Sequence, residues 1–253
     1  MKNYSFLAGF IACMFCVMSI NAQETFKHWS VGVEGGTYGA GITAATSLSQ
    51  KFILRAGFDM MGLNYSKSFN WDIDGFAPAG TAGKSIPLTA SLSDIQWRTT
   101  HGKLLVDFYP VENGIFSVTA GLFFGSNSLS AQGKVKNYAQ LMNQYNLDNV
   151  AFDLDGTVVQ PNKDGSFDAK VRLGNGVKPY LGIGLGRAIA ANKRLSLKLD
   201  LGVVLQGNYK LDSPNVLSGN ITSTVNNDLS DHVPTYLIKL WPMLNLSLSY
   251  KIM

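Results

Sequence analysis

Asp153 and Asp155 stand two residues apart in the run Phe152-Asp153-Leu154-Asp155-Gly156-Thr157. Paired carboxylates at that spacing could supply a nucleophile and an acid/base under a magnesium ion, the equipment of phosphoryl transfer. Downstream, Asn162, Asp164, Gly165 and Asp168 offer oxygen donors at intervals that partly suit a calcium loop, but the first acidic ligand and the distant bidentate glutamate are missing. His28, His101 and His232 are isolated in sequence, so no cluster points to a metal centre or a catalytic triad. Asn220-Ile221-Thr222 matches a glycosylation sequon formally and is read as chance. Six other charges, Glu34, Arg55, Lys103, Asp107, Lys198 and Asp200, are spread singly along the chain, and what they can do depends on the elements that carry them.

The letters around Asp153 look like the nucleophile motif of haloacid-dehalogenase-type phosphatases. That chemistry requires the aspartates at the end of a central parallel strand followed by a helix, with a lysine and further acidic residues downstream. Here the motif sits inside a long polar stretch and is followed by amphipathic strands. A hairpin turn built on Asp and Gly explains the same letters, so no enzyme activity, cofactor or metal is expected.

The N-terminus carries one lysine, Lys2, then an apolar run from Phe6 to Ile20, then Asn21-Ala22-Gln23. This is the layout of a secretory signal peptide, expected to occupy 1-22 with cleavage near Ala22. The apolar run is shorter than the roughly 20 residues of a spanning helix. Cys13 and Cys16 both lie within it, so the expected mature domain, 23-253, has no thiol for a disulfide or a thiolate site. The formal charge of +4 is mild and the basic residues are scattered, which gives nucleic-acid binding no support. No apolar run after Gln23 is long enough to span a membrane as a helix, so any insertion must be by strands.

Period-two alternation is clearest from Leu195 to Leu211, where Leu195, Leu197, Leu199, Leu201, Val203 and Leu205 oppose Ser196, Lys198, Asp200, Gly202 and Gln206. Ile238 to Met253 repeats it, with Leu244, Leu246, Leu248, Tyr250 and Ile252 against Asn245, Ser247, Ser249 and Lys251. Alternation of this kind is a strand with one apolar and one polar face. The same reading gives strands over Lys178 to Ile189, Ile115 to Ser126, Lys103 to Pro110, Lys51 to Tyr65, Gly41 to Leu48 and from Trp29, about eight in all. The joins around Ser47 to Gln50, Pro110 to Gly114 and Ala190 to Arg194 are short, whereas Lys67 to Ile95, Asn127 to Val177 and Asp212 to Thr235 are long and polar; of the outer links only the first, Gly35 to Gly39, is also short. Within the second of these, Tyr138, Leu141, Met142, Tyr145 and Leu147 recur at helical spacing and predict a short helix, followed by a hairpin through Asp164-Gly165.

The strands Leu195 to Leu211 and Tyr236 to Met253, with the short turns, resemble the small eight-stranded outer-membrane barrels typified by the OmpA transmembrane domain and OmpX. The resemblance is one of pattern over most of the mature chain, and it departs at the end, where Ile252 and Met253 stand in place of a terminal aromatic. It implies an all-β, antiparallel, up-and-down transmembrane barrel in the cell outer membrane, with long loops on one rim and short turns on the other. Outward parity then places Trp29, Phe52, Phe108, Phe116 and Tyr250 near one rim and Phe124, Tyr209 and Tyr236 near the other, as interfacial aromatics, with Arg187 reaching for the headgroups.

Inward parity groups Glu34, Arg55, Lys103, Asp107, Lys198 and Asp200, three acids and three bases, as a charge-paired interior. The expected function is that of a monomeric barrel with a closed lumen, in contact with outer-membrane lipid and meeting a surface partner or polysaccharide through its loops. Two alternatives stand beside it. One is a small-molecule transporter or narrow channel; the other is a soluble exported lipid-binding barrel, whose apolar face would line a cavity.

Overall fold

The computed structural model describes residues 26–76, 85–147, 149–154, 157–207, 210–212, 215–218 and 239–253. The expected signal peptide, Asp155, Tyr209, the sequon, His232 and Tyr236 lie outside the described residues. In chain order the strands are β1 (Trp29–Gly36), β2 (Gly39–Ser47), β3 (Phe52–Tyr65), β4 (Phe69–Phe76), β5 (Ile86–Phe108) and β6 (Phe116–Val135). A helix, α1 (Tyr138–Tyr145), precedes β7 (Ala151–Leu154), β8 (Thr157–Val159) and β9 (Ser166–Leu173). Then come β10 (Val177–Gly186), β11 (Leu195–Leu205), β12 (Lys210–Asp212), β13 (Val216–Ser218) and β14 (Leu240–Lys251).

Eight of these strands close into a ring: β1, β2, β3, β5, β6, β10, β11 and β14, each antiparallel to the next, with β14 pairing back to β1. Closure is what removes the exposed edges that an open sheet of this size would carry. Three connections at one end, after β2, β5 and β10, are short; at the other end the β1–β2 link is a two-residue turn and the excursions after β3, β6 and β11 are long. β14 has 12 residues; at about 3.3 Å per residue and a tilt near 45°, a strand of that length rises roughly 28 Å, close to a bilayer's hydrocarbon thickness.

Around this ring the side chains obey period two with the apolar ones outside. Val33 on β1, Ile42 on β2, Phe58 on β3, Leu104 on β5, Leu181 on β10, Leu197 on β11 and Leu246 on β14 are all exposed, Ile42 by 65% and Leu181 by 63%. Their strand neighbours Glu34, Asp59, Lys103, Lys198 and Ser247 are buried inside. A barrel that hides its charges and shows its leucines is folded against an apolar solvent.

The long polar stretches form more structure than loops. β5 and β6 run on past the ring as a paired stalk, with Ala90 opposite Val135. β4 adds to the β5 side and is followed in order by β7, β8 and β13; β9 adds to the β6 side, followed by β12. The resulting outer sheet has its own core, in which Leu88, Val135, Met142, Phe152, Val159 and Phe167 are buried together. The polarity of β5 reverses between its two halves: Ile86, Leu88 and Ala90 point into the outer core, whereas Thr99, His101 and Lys103 point into the barrel. A register shift between Ser93 and Gln96, with Asp94 at φ 52°, inserts the odd residue that flips the faces.

α1 lies where helical spacing predicts it, and it docks by Tyr138 and Met142 onto the outer core. Eight residues are too few for an isolated helix, so this packing stabilises it. The turn at Asp164-Gly165 also forms, with Gly165 at φ 79° and its N–H donating to Asn162 O at 2.8 Å. The strands on either side of that turn do not pair with each other, however: β8 pairs with β7 and β13, and β9 with β6 and β12. A second difference concerns the strand expected to run to Leu211. It leaves the ring at Leu205, because Gly207 turns at φ 83° and sends β12 to pair with β9.

Candidate functional site

The six inward charges fall into two groups inside the ring. In the first, Arg55 donates through Nη1 to Asp200 Oδ2 at 2.8 Å and through Nη2 to Asp200 Oδ1 at 3.1 Å and Asp107 Oδ1 at 2.9 Å. Lys198 binds the same two carboxylates, Asp107 at 3.4 Å and, more closely, Asp200. Thr119, the register partner of Asp107 on β6, donates its hydroxyl to Asp107 Oδ1 at 2.7 Å. Arg55 is 1% exposed and Lys198 is 0% exposed, so these ions have given up bulk water and depend on one another.

In the second group Lys103 Nζ lies 2.6 Å from Glu34 Oε1 and 3.0 Å from Asp59 Oδ2, and Asn245 Nδ2 donates to Glu34 Oε2 at 2.9 Å. Asp59, in the middle of β3 and on the same face as Arg55 four residues earlier, belongs to this group although it is not among the six charges assigned to the interior from sequence. Glycines on the inner face make room for these long side chains. A Cβ at Gly184 would stand 2.5 Å from both Lys198 Nζ and Ser117 Oγ, and one at Gly57 would stand 2.8 Å from Lys103 Cε.

Apolar layers lie on both sides of the ions. Toward the short turns, Ala45, Ile53, Tyr109, Ala188 and Ile189 pack together. Toward the long excursions, Tyr38, Leu105, Phe123, Tyr180, Val204 and Met243 form a second cluster, with Trp241 against it. His101 and Lys178 belong to this upper level: both are buried, with Lys178 Nζ 3.2 Å from His101 Nε2 and donating to Gly125 O at 2.8 Å. Inward parity marks each of them, but Lys178 is the second residue of β10, and His101 falls just before Lys103, where the sequence pattern begins a strand that extends back to Ile86 in the structure.

Arg187 differs from its expected place. Its guanidinium stacks 4.2 Å over the Tyr109 ring and donates to Gly114 O at 3.1 Å, which holds it across the short-turn rim rather than out toward headgroups. The cause is Gly186, whose φ of 97° ends the alternation one residue earlier. Beside Arg187 opens a cavity of about 560 Å³, lined among others by Lys27, His28, Glu112 and Lys251. The rim aromatics Trp29, Phe108, Phe116 and Tyr250 are exposed, and Phe52 packs against Phe108 with ring centroids 5.0 Å apart. At the other rim Phe124 is exposed as well.

Asp153 sits on β7, opposite Val158 of β8 in an antiparallel hairpin, not at the end of a parallel strand that feeds a helix. Two of the partial calcium-loop residues are already engaged: Asp164 accepts from the Ser166 hydroxyl at 2.6 Å and the Ser166 N–H at 3.1 Å within its own turn, and Asn162 Oδ1 accepts from Asn215 Nδ2, beside β13, at 3.1 Å. The Ser166 hydroxyl and N–H hold the Asp164 carboxyl below the usual carboxylate range. Among the described residues no group of three or more His, Cys, Asp or Glu side chains is arranged to hold a metal.

The chain is thus a closed antiparallel barrel of eight strands with an apolar exterior and an ion-paired interior. No protein-family model and no curated protein matches it. Among solved structures it is similar to CarO of Acinetobacter baumannii, at 17% identity and a TM-score of 0.48, over 87% of this chain and 96% of that one. CarO2 of Acinetobacter baumannii is similar at 14% identity and a TM-score of 0.48, over 90% and 100%. A major outer membrane protein from Thermus thermophilus follows at 16% identity and a TM-score of 0.34, over 88% and 99%.

Proposed function

We infer that this protein is a monomeric outer-membrane barrel with a closed, ion-filled lumen, which acts at the cell surface through its outer sheet. The observation that carries this is the inversion of polarity: the ring turns apolar side chains outward and buries Glu34, Arg55, Asp59, Lys103, Asp107, Lys178, Lys198 and Asp200 inside. A soluble lipid-binding barrel requires the opposite arrangement, with the apolar side around the cavity. Lipid contact on all sides suits a monomer, and the rim aromatics stand where headgroups would meet them.

The surface role falls to the outer sheet because it is ordered around its own core, and so can present a fixed face to a polysaccharide or a partner. No catalytic role is assigned to Asp153, since an antiparallel hairpin lacks the strand-to-helix junction that the phosphatase chemistry uses. Fractionation tests the reading. The mature protein is expected in the outer-membrane fraction and released only by detergent; recovery from the soluble periplasm without detergent would sink it.

A further inference from the structure

Among the described residues, the ion pairs of the barrel leave one buried cation out. Arg55, Lys103 and Lys198 each have a carboxylate oxygen within 3.4 Å. Lys178 is equally buried, but its neighbours are the Gly125 carbonyl and the His101 ring, and no carboxylate among the described residues pairs with it. The nearest candidate by register is Asp59, opposite His101, and both of its oxygens are turned to Lys103, at 3.2 and 3.0 Å. A buried ammonium without an anion is strongly unfavourable, so something must neutralise it or its proton is lost.

Polar atoms at the same end of the lumen are also left over. His101 Nδ1, Gln206 Nε2, the indole nitrogens of Trp97 and Trp241 and the hydroxyls of Tyr38 and Tyr180 are buried without a hydrogen-bond partner among the described residues, as is one acceptor, Asn127 Oδ1. They form one neighbourhood. The Tyr38 ring stacks on His101 at 4.2 Å and faces Trp241 at 6.0 Å, Trp97 meets Trp241 edge-on at 5.8 Å, Thr99 donates to the Tyr38 carbonyl at 2.8 Å, and its register partner Asn127 donates to Gln206 at 3.3 Å. The amide and both indoles are donors, and the histidine donates from one nitrogen or the other. A single ammonium among unused N–H groups is complementary to one compact negative charge, which would accept charge-assisted hydrogen bonds from several of them at once.

We propose that the long-loop end of the lumen binds a small monovalent anion of halide size, held by Lys178 with the N–H groups of Trp97, Trp241, Gln206 and His101. One charge balances one ammonium; a dianion would bring a second charge with no cation to meet it. The site stands on the interior of the barrel and holds whether or not the surface role inferred above is correct.

The test uses the purified full chain in non-ionic detergent, with iodide titrated at constant ionic strength and tryptophan fluorescence recorded. The chain has four tryptophans. Trp29 and Trp71 lie away from the cluster and contribute quenching that grows linearly with iodide. Iodide held beside Trp97 and Trp241 adds a saturable component, which chloride competes away and sulfate does not. Lys178→Met loses the saturable component and Lys178→Arg keeps it. Strictly linear quenching of the unaltered protein overturns the proposal even if the methionine variant fails to fold. So does saturable quenching that survives in a folded Lys178→Met barrel, or that sulfate competes as well as chloride.

Discussion

Arg55 is the side chain on which the lower lumen turns, because both Asp107 and Asp200 direct oxygens to it and Lys198 shares those same carboxylates. Replacing it with leucine keeps much of the volume but leaves two carboxylates with one ammonium between them. Breaking a buried pair in this way typically costs about 3 to 5 kcal/mol. Arg55→Leu is therefore expected to lower the temperature at which the barrel loses its heat-modifiable shift on a gel. Arg187→Leu removes a stacking contact on Tyr109 and a hydrogen bond to Gly114 at a partly exposed rim, so about 1 kcal/mol is expected and a smaller downward displacement. An Arg55→Leu barrel as heat-resistant as the original would mean that the ion pairs contribute nothing to holding the wall together.

Among the elements, β5 does two jobs that its sequence separates at one point. Below the shift between Ser93 and Gln96 it is a barrel stave, and above it a strand of the outer sheet. The two cores share this strand but not their side chains, so they should loosen separately. Met142→Ala removes one of the two buried side chains by which α1 docks. A core truncation of this kind costs roughly 2 to 5 kcal/mol, more than a helix of one or two turns can make good. Limited proteolysis is expected to cut the Met142→Ala protein within residues 136–150 faster than the original, while the heat-modifiable shift of the barrel stays where it was. A shift that falls together with the faster cutting would show that the outer sheet and the barrel unfold as one unit.

For the whole molecule, the question is whether anything passes through. From the short turns upward the bore meets Ile53, Tyr109 and Ile189, then the Arg55 and Lys103 ion groups, then the rings of Phe123, Tyr180 and Tyr38. An eight-stranded barrel encloses only about enough room for its own inward side chains. Planar-bilayer recordings are accordingly expected to show no steady conductance, and reproducible single-channel steps would favour the narrow channel instead. The cavity at the short-turn rim does not alter this expectation, because Ile53 and Ile189 are among its lining residues and both are buried in the plug.

Strand parity was legible in the sequence because it is local: one residue in and the next out follows from the pleat, and it assigned Glu34, Arg55, Lys103, Asp107, Lys198 and Asp200 to the interior. The ring strands and α1 were legible for the same reason. The outer sheet left a trace as well, since Ile86, Leu88 and Ala90 alternate, but they do so inside a polar stretch and on the opposite parity from the barrel half of the same strand. Which charges meet was settled only by closure. Arg55 and Asp200 are 145 residues apart and face each other because the ring brings β3 and β11 across one narrow lumen. What Arg187 and Lys178 meet was also decided only in the structure. A left-handed glycine redirected the first, and the second was buried at a level of the bore to which no described strand brings a free carboxylate.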